Sequence, residues 1–288
     1  MLKNNAPMSL TASGQNKLKS IYRNGVLMSR KIKILCVGDV VSQKGCDFLR
    51  KKLPEFKQKN DIDICIVNGE NSAVGNGMLP ISCEHIFISG ADLITGGNHS
   101  LKRREIYEYL DSTENIIRPA NYGDGVWGKG YRIIDKGAYK IGVINLLGRV
   151  WLEGHKDPFE TAEKIIEILK KETNIILVDF HAEATAEKKA LGYFLDGRVS
   201  GVFGTHTHVQ TSDAQILTGG TGYITDLGMT GPEESVLGVK KEIIIDKFRK
   251  GFSTMFETAD TPCFMQGCVF TVDKDSGKTV EINAVTVR

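Results

Sequence analysis

The sequence lacks several features that would assign it to a specialised class of protein. Its six cysteines, in 288 residues, include no Cys-x-x-Cys pair of the kind that binds zinc or exchanges disulfides. No apolar run approaches the roughly 18 residues that span a membrane, and residues 1–30 contain no apolar signal-peptide core. The net charge of +2 does not call for a polyanionic partner. We therefore expect a cytoplasmic protein that does not associate with membranes.

The composition is that of an ordinary globular protein, with 41% hydrophobic and 25% charged residues. Cys36 and Cys65 lie inside apolar runs, which favours buried thiols in a reducing compartment. Neither a repeat nor a convincing linker follows residue 30. We predict a polar extension over residues 1–30, with a short amphipathic helix around residues 15–22, and a single domain over residues 31–288.

Apolar runs alternate with amphipathic segments along that domain. Strands are predicted at 33–37, 63–67, 92–95, 131–135, 140–146, 174–178, 199–203 and 223–226, and in the tail at 251–257, 268–273 and 279–287. Helices are predicted at about 46–59, from Pro80 onward, and at about 102–110, 158–171, 184–195 and 240–250. Pro54 should kink or shorten the first helix. The pattern predicts an α/β fold with two packed mixed β-sheets flanked by helices.

Two histidines stand two residues apart in the stretch Gly204-Thr205-His206-Thr207-His208. They follow an apolar strand-like run, so they fall on the loop at its carboxyl end. Within a strand, residues two apart share a face, whereas on a loop both rings can converge on one point. The stretch alone fits either a metal site or a turn with two surface histidines.

Polar residues that suit metal binding follow five predicted strands, where ligands of α/β sheets bind. They are Asp39, Glu70, Asn71, Asn98, His99, His181, His206 and His208. Singly, Asp39 could cap a helix, Glu70 could pair with a lysine and Asn71 could hold a turn. Burying the whole set in one cleft is costly unless cations lie among its members. The set exceeds one tetrahedral zinc and fits two ions about 3.5–4 Å apart that share a carboxylate. The remaining histidines, His85 and His155, are assigned to surface or capping positions.

These blocks together resemble a known family. They are Gly38-Asp39, Asn68-Gly69-Glu70-Asn71, Gly97-Asn98-His99, Asp179-Phe180-His181-Ala182-Glu183-Ala184 and Gly204-Thr205-His206-Thr207-His208, joined by Arg118-Pro119-Ala120-Asn121 and Ile224-Thr225-Asp226-Leu227-Gly228-Met229-Thr230-Gly231-Pro232. Over about residues 31–288 the chain resembles the calcineurin-like metallophosphoesterases, and within them the YmdB branch. Val41 stands where the wider superfamily has histidine, and Glu70 where it has aspartate. The YmdB branch shows the same two changes.

The resemblance implies a ligand set for two metal ions. The first ion takes Asp39, Glu70, Asn71 and His208, and the second takes Glu70, Asn98, His181 and His206, so that Glu70 bridges. His99 is then the general acid, for which an unperturbed pKa of about 6.5 is suitable; the alternative is that His99 orients a ligand. Nitrogen and oxygen ligands suit iron, manganese or zinc, and the family favours iron or manganese.

The implied activity is phosphoester hydrolysis by attack of a hydroxide that bridges the two metal ions. The resemblance points to a phosphodiesterase acting on 2′,3′-cyclic nucleotides and to a homo-oligomer, dimer or tetramer. A phosphomonoesterase, an RNA-acting nuclease and a regulatory metal- or nucleotide-binding protein are the alternatives. Arg149, Tyr122 and Trp151 are candidates for stacking a base. The basic run Lys102-Arg103-Arg104 could attract phosphate or simply solvate a helix.

Overall fold

The computed structural model describes residues 31–152, 156–251 and 255–288. It also describes the backbone of two short antiparallel strands nearer the amino terminus, β1 (Tyr22–Arg23) and β2 (Val26–Leu27). The helix predicted around residues 15–22 lies outside the described residues, apart from Tyr22. No helix in the described part of the chain is long and apolar enough to cross a membrane.

Thirteen further strands make up the body of the described residues. In chain order they are β3 (Lys31–Val37), β4 (Asp39–Val40), β5 (Ile64–Asn68), β6 (Leu93–Thr95), β7 (Tyr131–Asp135), β8 (Lys140–Leu147), β9 (Ile176–His181), β10 (Gly201–Thr205), β11 (Gln215–Ile216), β12 (Gly222–Ile224), β13 (Met229–Pro232), β14 (Cys263–Asp273) and β15 (Thr279–Val287). They form two sheets, which are both mixed.

The first sheet has the order β4-β13-β14-β3-β5-β6, with β15 paired along β14. Its strands β3, β5 and β6 are parallel, while β14 runs antiparallel to β3. The second sheet has the order β11-β12-β10-β9-β8-β7. Its four central strands are parallel, and an antiparallel strand closes each edge. The mixed sheets that the sequence predicted are confirmed.

Six α-helices accompany the sheets in the described ranges. They are α1 (Ser42–Lys59), α2 (Pro80–Ile88), α3 (Tyr107–Ser112), α4 (Pro158–Leu169), α5 (Thr185–Phe194) and α6 (Lys241–Lys250). Leu49 of α1 and Ile86 of α2 pack on the outer face of the first sheet. Ile165 of α4 and Leu191 of α5 cover the outer face of the second. The inner faces meet in one core, where residues such as Ile34, from the first sheet, cluster with Phe203, from the second. The result is four layers, helix–sheet–sheet–helix.

Several predicted boundaries were wrong. The first helix begins at Ser42 and continues through Pro54, which does not shorten it. The helix predicted at 102–110 is a 3₁₀ turn, Arg104–Ile106, followed by α3. The strand predicted at 174–178 is shifted, so that His181 is its last residue. Of the strand predicted at 251–257, residues 251 and 255–257 are described, and none of these is in a strand.

Candidate metal centre

The predicted site residues converge where the carboxyl ends of the two sheets meet. Parallel pairing aligns β9 with β10, so that His181 lies beside Thr205, the residue before His206. On the other sheet the ends of β3 and β5 are level; β3 is followed by β4, which begins at Asp39, and β5 leads into the loop that carries Glu70 and Asn71. The ligand atoms of Glu70, His181 and His206 lie within 4.8 Å of one another. Both sheets thus contribute residues to one cluster.

His181 is held by a buried network behind it. The Thr205 hydroxyl donates to Asp179 Oδ1 at 2.7 Å and lies 2.9 Å from His181 Nδ1. Because a hydroxyl has a single proton, Thr205 accepts the Nδ1–H of His181, which leaves Nε2 as the ligand atom. Asp179 also accepts from Asn68 at 3.1 Å. Burial raises the pKa of Asp179 to about 6, against the opposing effect of these hydrogen bonds.

His206 turns its ring nitrogen Nδ1 towards Nε2 of His181. Its Nε2 lies 3.0 Å from Glu183 Oε2, and its Nδ1 lies 3.0 Å from His181 Nε2. Glu183 accepts the Nε2–H, so two nitrogen lone pairs face each other, and a proton or a metal cation must lie between them. Burial and the neighbouring His181 lower the pKa of His206 to about 4. Burial also disfavours the charged form of His181, but the carboxylates of Glu70, Asp39 and Asp179 raise its pKa to about 9.

The ligand candidates form two halves, with Asn98, His181 and His206 in one and Asp39, Asn71 and His208 in the other. Glu70 lies between them and is completely buried. Its Oε1 is 3.2 Å from His181 Nε2 and accepts the side-chain amide of Asn71 at 2.9 Å. Burial alone would raise the pKa of Glu70, but His181 and His99 hold it well below its usual range. Asn98 Oδ1 lies 3.0 Å from His181 Nε2. A carboxylate that remains charged in this position suits a shared ligand.

Asp39, Asn71 and His208 form the other half. His208 Nε2 is 3.6 Å from Asp39 Oδ1 and 3.2 Å from the Asn71 amide nitrogen. Burial would raise the pKa of Asp39, but its interaction with His208 lowers it. Asp39 Oδ1 and Asn71 Oδ1 are buried and have no hydrogen-bond partner. A buried oxygen without a donor is costly, and a hard cation would satisfy both. The donor set therefore fits metal ions.

The backbone of the histidine loop explains how neighbouring side chains reach different points. His206 has φ +102° and His208 has φ +63°, the left-handed region that residues other than glycine rarely adopt. Asp39 Oδ2 accepts the His206 amide at 3.0 Å, and Asp226 Oδ2 accepts the Thr207 amide at 3.2 Å. Asp226 is itself paired with buried Lys188 at 2.6 Å. These contacts hold the strained loop in place.

The turn that carries Asn98 and His99 packs directly against the cluster. A Cβ atom on Gly97 would lie 2.2 Å from Glu70 Oε2 and 2.4 Å from His181 Nε2, so only glycine fits. The His99 amide donates to Glu70 Oε2 at 3.0 Å, and its Nδ1 lies 3.2 Å from Glu70 Oε1. The Tyr122 hydroxyl donates to the Gly97 carbonyl at 2.7 Å. His99 is therefore tied to Glu70 beside the cluster.

A cavity of about 380 Å³ opens onto this cluster. Among the predicted site residues, it is lined by Glu70, Asn71, His99, His206 and His208. The buried residues Asp39 and His181 lie behind these. A small molecule in the cavity would therefore contact His99 and the exposed edge of the cluster.

Three sequence expectations outside the cluster need correction. Tyr122 is buried under Gly97, so its ring is not available to stack a base. Trp151 is exposed, and Arg149 pairs with Asp157 at 3.5 Å; neither lines the cavity. Arg103 donates to the carbonyls of residues 74 and 76 and so supports the Gly-rich loop.

The sequence interpretation also missed residues that orient the ligands. Thr205 contacts His181, Glu183 contacts His206, and Asp179 accepts the hydroxyl of Thr205, yet none of them was singled out. All three lie inside the blocks that carry the family resemblance, close in sequence to a proposed ligand. Their closeness in sequence to the proposed ligands could have identified them.

The chain is similar to known proteins over most of its length. A curated relative from Bacillus subtilis (strain 168), a 2′,3′-cyclic-nucleotide 2′-phosphodiesterase, is 42% identical over 256 residues, which is 89% of this chain and 97% of the relative. The solved structure of a phosphatase from Mycoplasma pneumoniae is 32% identical with a TM-score of 0.85, covering 90% of this chain and 94% of that one. A hypothetical protein from Thermus thermophilus gives 34% identity and a TM-score of 0.83, covering 88% of this chain and 98% of that one. The family model described as "YmdB-like protein" matches residues 35–285. The chain therefore belongs to the YmdB-like protein family.

Proposed function

We propose that the protein is a dinuclear metal-dependent phosphodiesterase that hydrolyses 2′,3′-cyclic nucleotides. The observation that carries this proposal is the pair of buried oxygens without donors, Asp39 Oδ1 and Asn71 Oδ1, beside the facing nitrogens of His181 and His206. Both arrangements call for a cation in the same cluster. The substrate class is supported by the name of the Bacillus subtilis relative.

The ligands divide as the two halves of the cluster suggest. Asp39, Asn71 and His208 would hold one ion, and Asn98, His181 and His206 the other, with Glu70 shared. When bound, such ions lower the pKa of water and neutralise phosphoryl oxygens. Iron or manganese is proposed, with zinc as the alternative, since no thiolate biases the set.

The chain's own residues complete the reaction. Water adds to phosphorus, the bond to the 2′-oxygen breaks, and that oxygen needs a proton as it leaves. His99 lines the cavity and supplies the proton. Its position depends on Glu70, which accepts its amide, and on Tyr122, which holds the preceding turn. Thr205 and Glu183 keep His181 and His206 in the tautomers that turn a lone pair towards the cluster.

A comparison of three substrates tests the activity. Purified protein supplied with Mn²⁺ is assayed on 2′,3′-cyclic AMP, bis-p-nitrophenyl phosphate and p-nitrophenyl phosphate under identical conditions. We expect both diesters to be hydrolysed in preference to the monoester. A preference for p-nitrophenyl phosphate would show a phosphomonoesterase instead. Turnover of a short RNA in the same assay would identify a nuclease.

Metal analysis tests the number of ions separately. Protein purified without added metal is analysed by plasma mass spectrometry, and fewer than about one ion per chain would count against a dinuclear site. We also propose a cytoplasmic location, which is supported by six cysteines that are all unpaired. Assembly into a dimer or tetramer remains a prediction.

A further inference from the structure

The cavity beside the candidate metal centre has a second side that hydrolysis does not use. The lining also includes Lys247, Glu257 and the apolar residues Val236, Leu237, Val239, Ile244, Phe248 and Phe256. We call Phe248, Phe256 and Lys247 the aromatic wall. Phe248 is 81% exposed and Phe256 50% exposed, so two large rings face solvent beside a polar cluster.

The two segments that carry the aromatic wall are joined to each other by backbone hydrogen bonds. The Lys240 amide donates to the Glu257 carbonyl at 2.9 Å, and the Ala259 amide donates to the Gly238 carbonyl at 2.9 Å. These bonds join the segment that carries Phe256 to the start of α6. Ile244, on the same helix, is buried. The exposed rings therefore project from an anchored frame.

A direct contact connects this frame to the candidate metal ligands. The Leu237 carbonyl lies 3.3 Å from His208 Nδ1, so the loop that borders the wall also orients a proposed ligand. A phosphate held at the ligands and a group lying on the wall would occupy the same cavity. The cavity volume of about 380 Å³ falls within the range of sites for small organic molecules, which exceeds what a phosphate alone requires.

The aromatic wall carries one positive charge. The Lys247 ammonium lies 4.8 Å from the centroid of the Phe256 ring, which places a positive charge on the aromatic surface. A nucleotide combines a flat ring, which stacks on aromatic side chains, with a negative charge. Building on the proposed function, we propose that the aromatic wall binds the base of the nucleotide whose phosphate lies at the metal ligands.

The proposal is tested with a substrate pair that differs only in the base. Wild type, Phe248→Ala, Phe256→Ala and the double variant, each loaded with Mn²⁺, are assayed on 2′,3′-cyclic AMP and on the base-free methyl riboside 2,3-cyclic phosphate. One stacking contact corresponds to about 5- to 150-fold in binding. We expect wild type to favour the nucleotide in kcat/KM by a factor in this range, and the variants to lose the preference while their rate on the base-free substrate is unchanged.

Two control variants separate stacking from other effects. Phe256→Leu keeps apolar bulk without an aromatic face and should also lose most of the preference. Ile245 lies on the same helix and is half-exposed, but it does not line the cavity. The Ile245→Ala variant should therefore behave as wild type. An unchanged preference in the double variant, or an equal loss on both substrates, would overturn the proposal.

A binding measurement keeps the inference separate from the proposed activity. Calorimetric titration of the same proteins with adenosine 3′-monophosphate and with methyl riboside 3-phosphate measures the contribution of the base without turnover. If wild type hydrolyses neither cyclic substrate but binds the nucleotide more tightly through the wall, the proposed function fails and the base site stands. If the variants instead change the oligomeric state in sedimentation and leave base preference intact, the wall is a contact between copies and the proposal is wrong.

Discussion

Two buried carboxylate sites lie close together in this protein, and their charges are balanced in different ways. Asp226 is buried with the ammonium of Lys188 at 2.6 Å, and both side chains are about 1% exposed. Asp39 and Glu70 are fully buried, and in the described part of the chain they form ion pairs with histidines. The first site contains its own cation, whereas the second leaves Asp39 Oδ1 without a donor.

The contrast shows how a structural ion pair can be distinguished from a candidate metal site. Asp226 also accepts the amides of Thr207 and Gly228, so its oxygens are occupied by groups of the protein. An ion pair satisfied in this way holds the histidine loop but has no capacity for a ligand. Asp39 also accepts an amide of the histidine loop, that of His206, through Oδ2, but its Oδ1 has no donor and can bind a cation. Four substitutions test this contrast between the two sites.

The largest effect is expected from Glu70→Gln. The amide keeps the shape but removes the charge shared by both halves of the cluster, so metal content and turnover should fall together. The loss of turnover should exceed the roughly 10- to 100-fold typical of a residue that only orients a ligand. Plasma mass spectrometry and the cyclic-nucleotide assay measure it, with exposed Glu84→Gln as control. Retention of metal and rate would remove Glu70 from the ligand set.

The next effect concerns His99→Ala. Because His99 is assigned to proton transfer and not to metal binding, turnover should fall by about 10²- to 10⁴-fold while metal content stays at the wild-type value. His85→Ala serves as the matched control, because His85 is a partly exposed histidine of α2 that does not line the cavity. A loss of metal in His99→Ala would show instead that it supports Glu70 as an orienting residue.

Lys188→Met tests the site that contains its own cation. Removing one partner of a buried ion pair leaves an uncompensated charge, so the free energy of unfolding should fall by about 3–5 kcal/mol. Lys189→Met removes a partly exposed lysine that is 3.8 Å from Asp213 and should cost at most about 1 kcal/mol. Urea unfolding measures both. Equal effects of the two substitutions would contradict the contrast between the sites.

The smallest effect is expected from Thr205→Val. The change leaves the Nδ1–H of His181 and an oxygen of Asp179 without their partner, so metal affinity should fall by roughly 10- to 100-fold. Thr221→Val also removes a buried hydroxyl that donates to a carbonyl, at 2.7 Å, but at the opposite end of the sheet. Competition with a chromogenic chelator compares the two affinities. Equal affinities would exclude Thr205 as an orienting residue.

The approximate positions of most of the longer strands along the chain, and the residue types at their ends, could be predicted from the sequence alone. Buried strands such as 33–37 are near-continuous apolar runs, and that pattern depends on local burial only. Each run ends in a polar block, so the identities of Asp39, Glu70 and His181 as candidates followed from position. The ends of the first helix could not be predicted, since Ser42 and Pro54 carry no apolar pattern that separates a helix from its flanks.

The tertiary structure alone decided which atoms meet. His206 and His208 diverge because their backbone has positive φ, which contacts with Asp39 and Asp226 impose from distant parts of the chain. Tyr122 was a candidate for lining the cleft from a long loop and stacking a base, but the fold buries it under Gly97. No periodic pattern in the sequence indicated that Phe248 and Phe256 line the cavity. Apolar periodicity reports the burial of single elements, whereas a site depends on contacts between residues far apart in sequence.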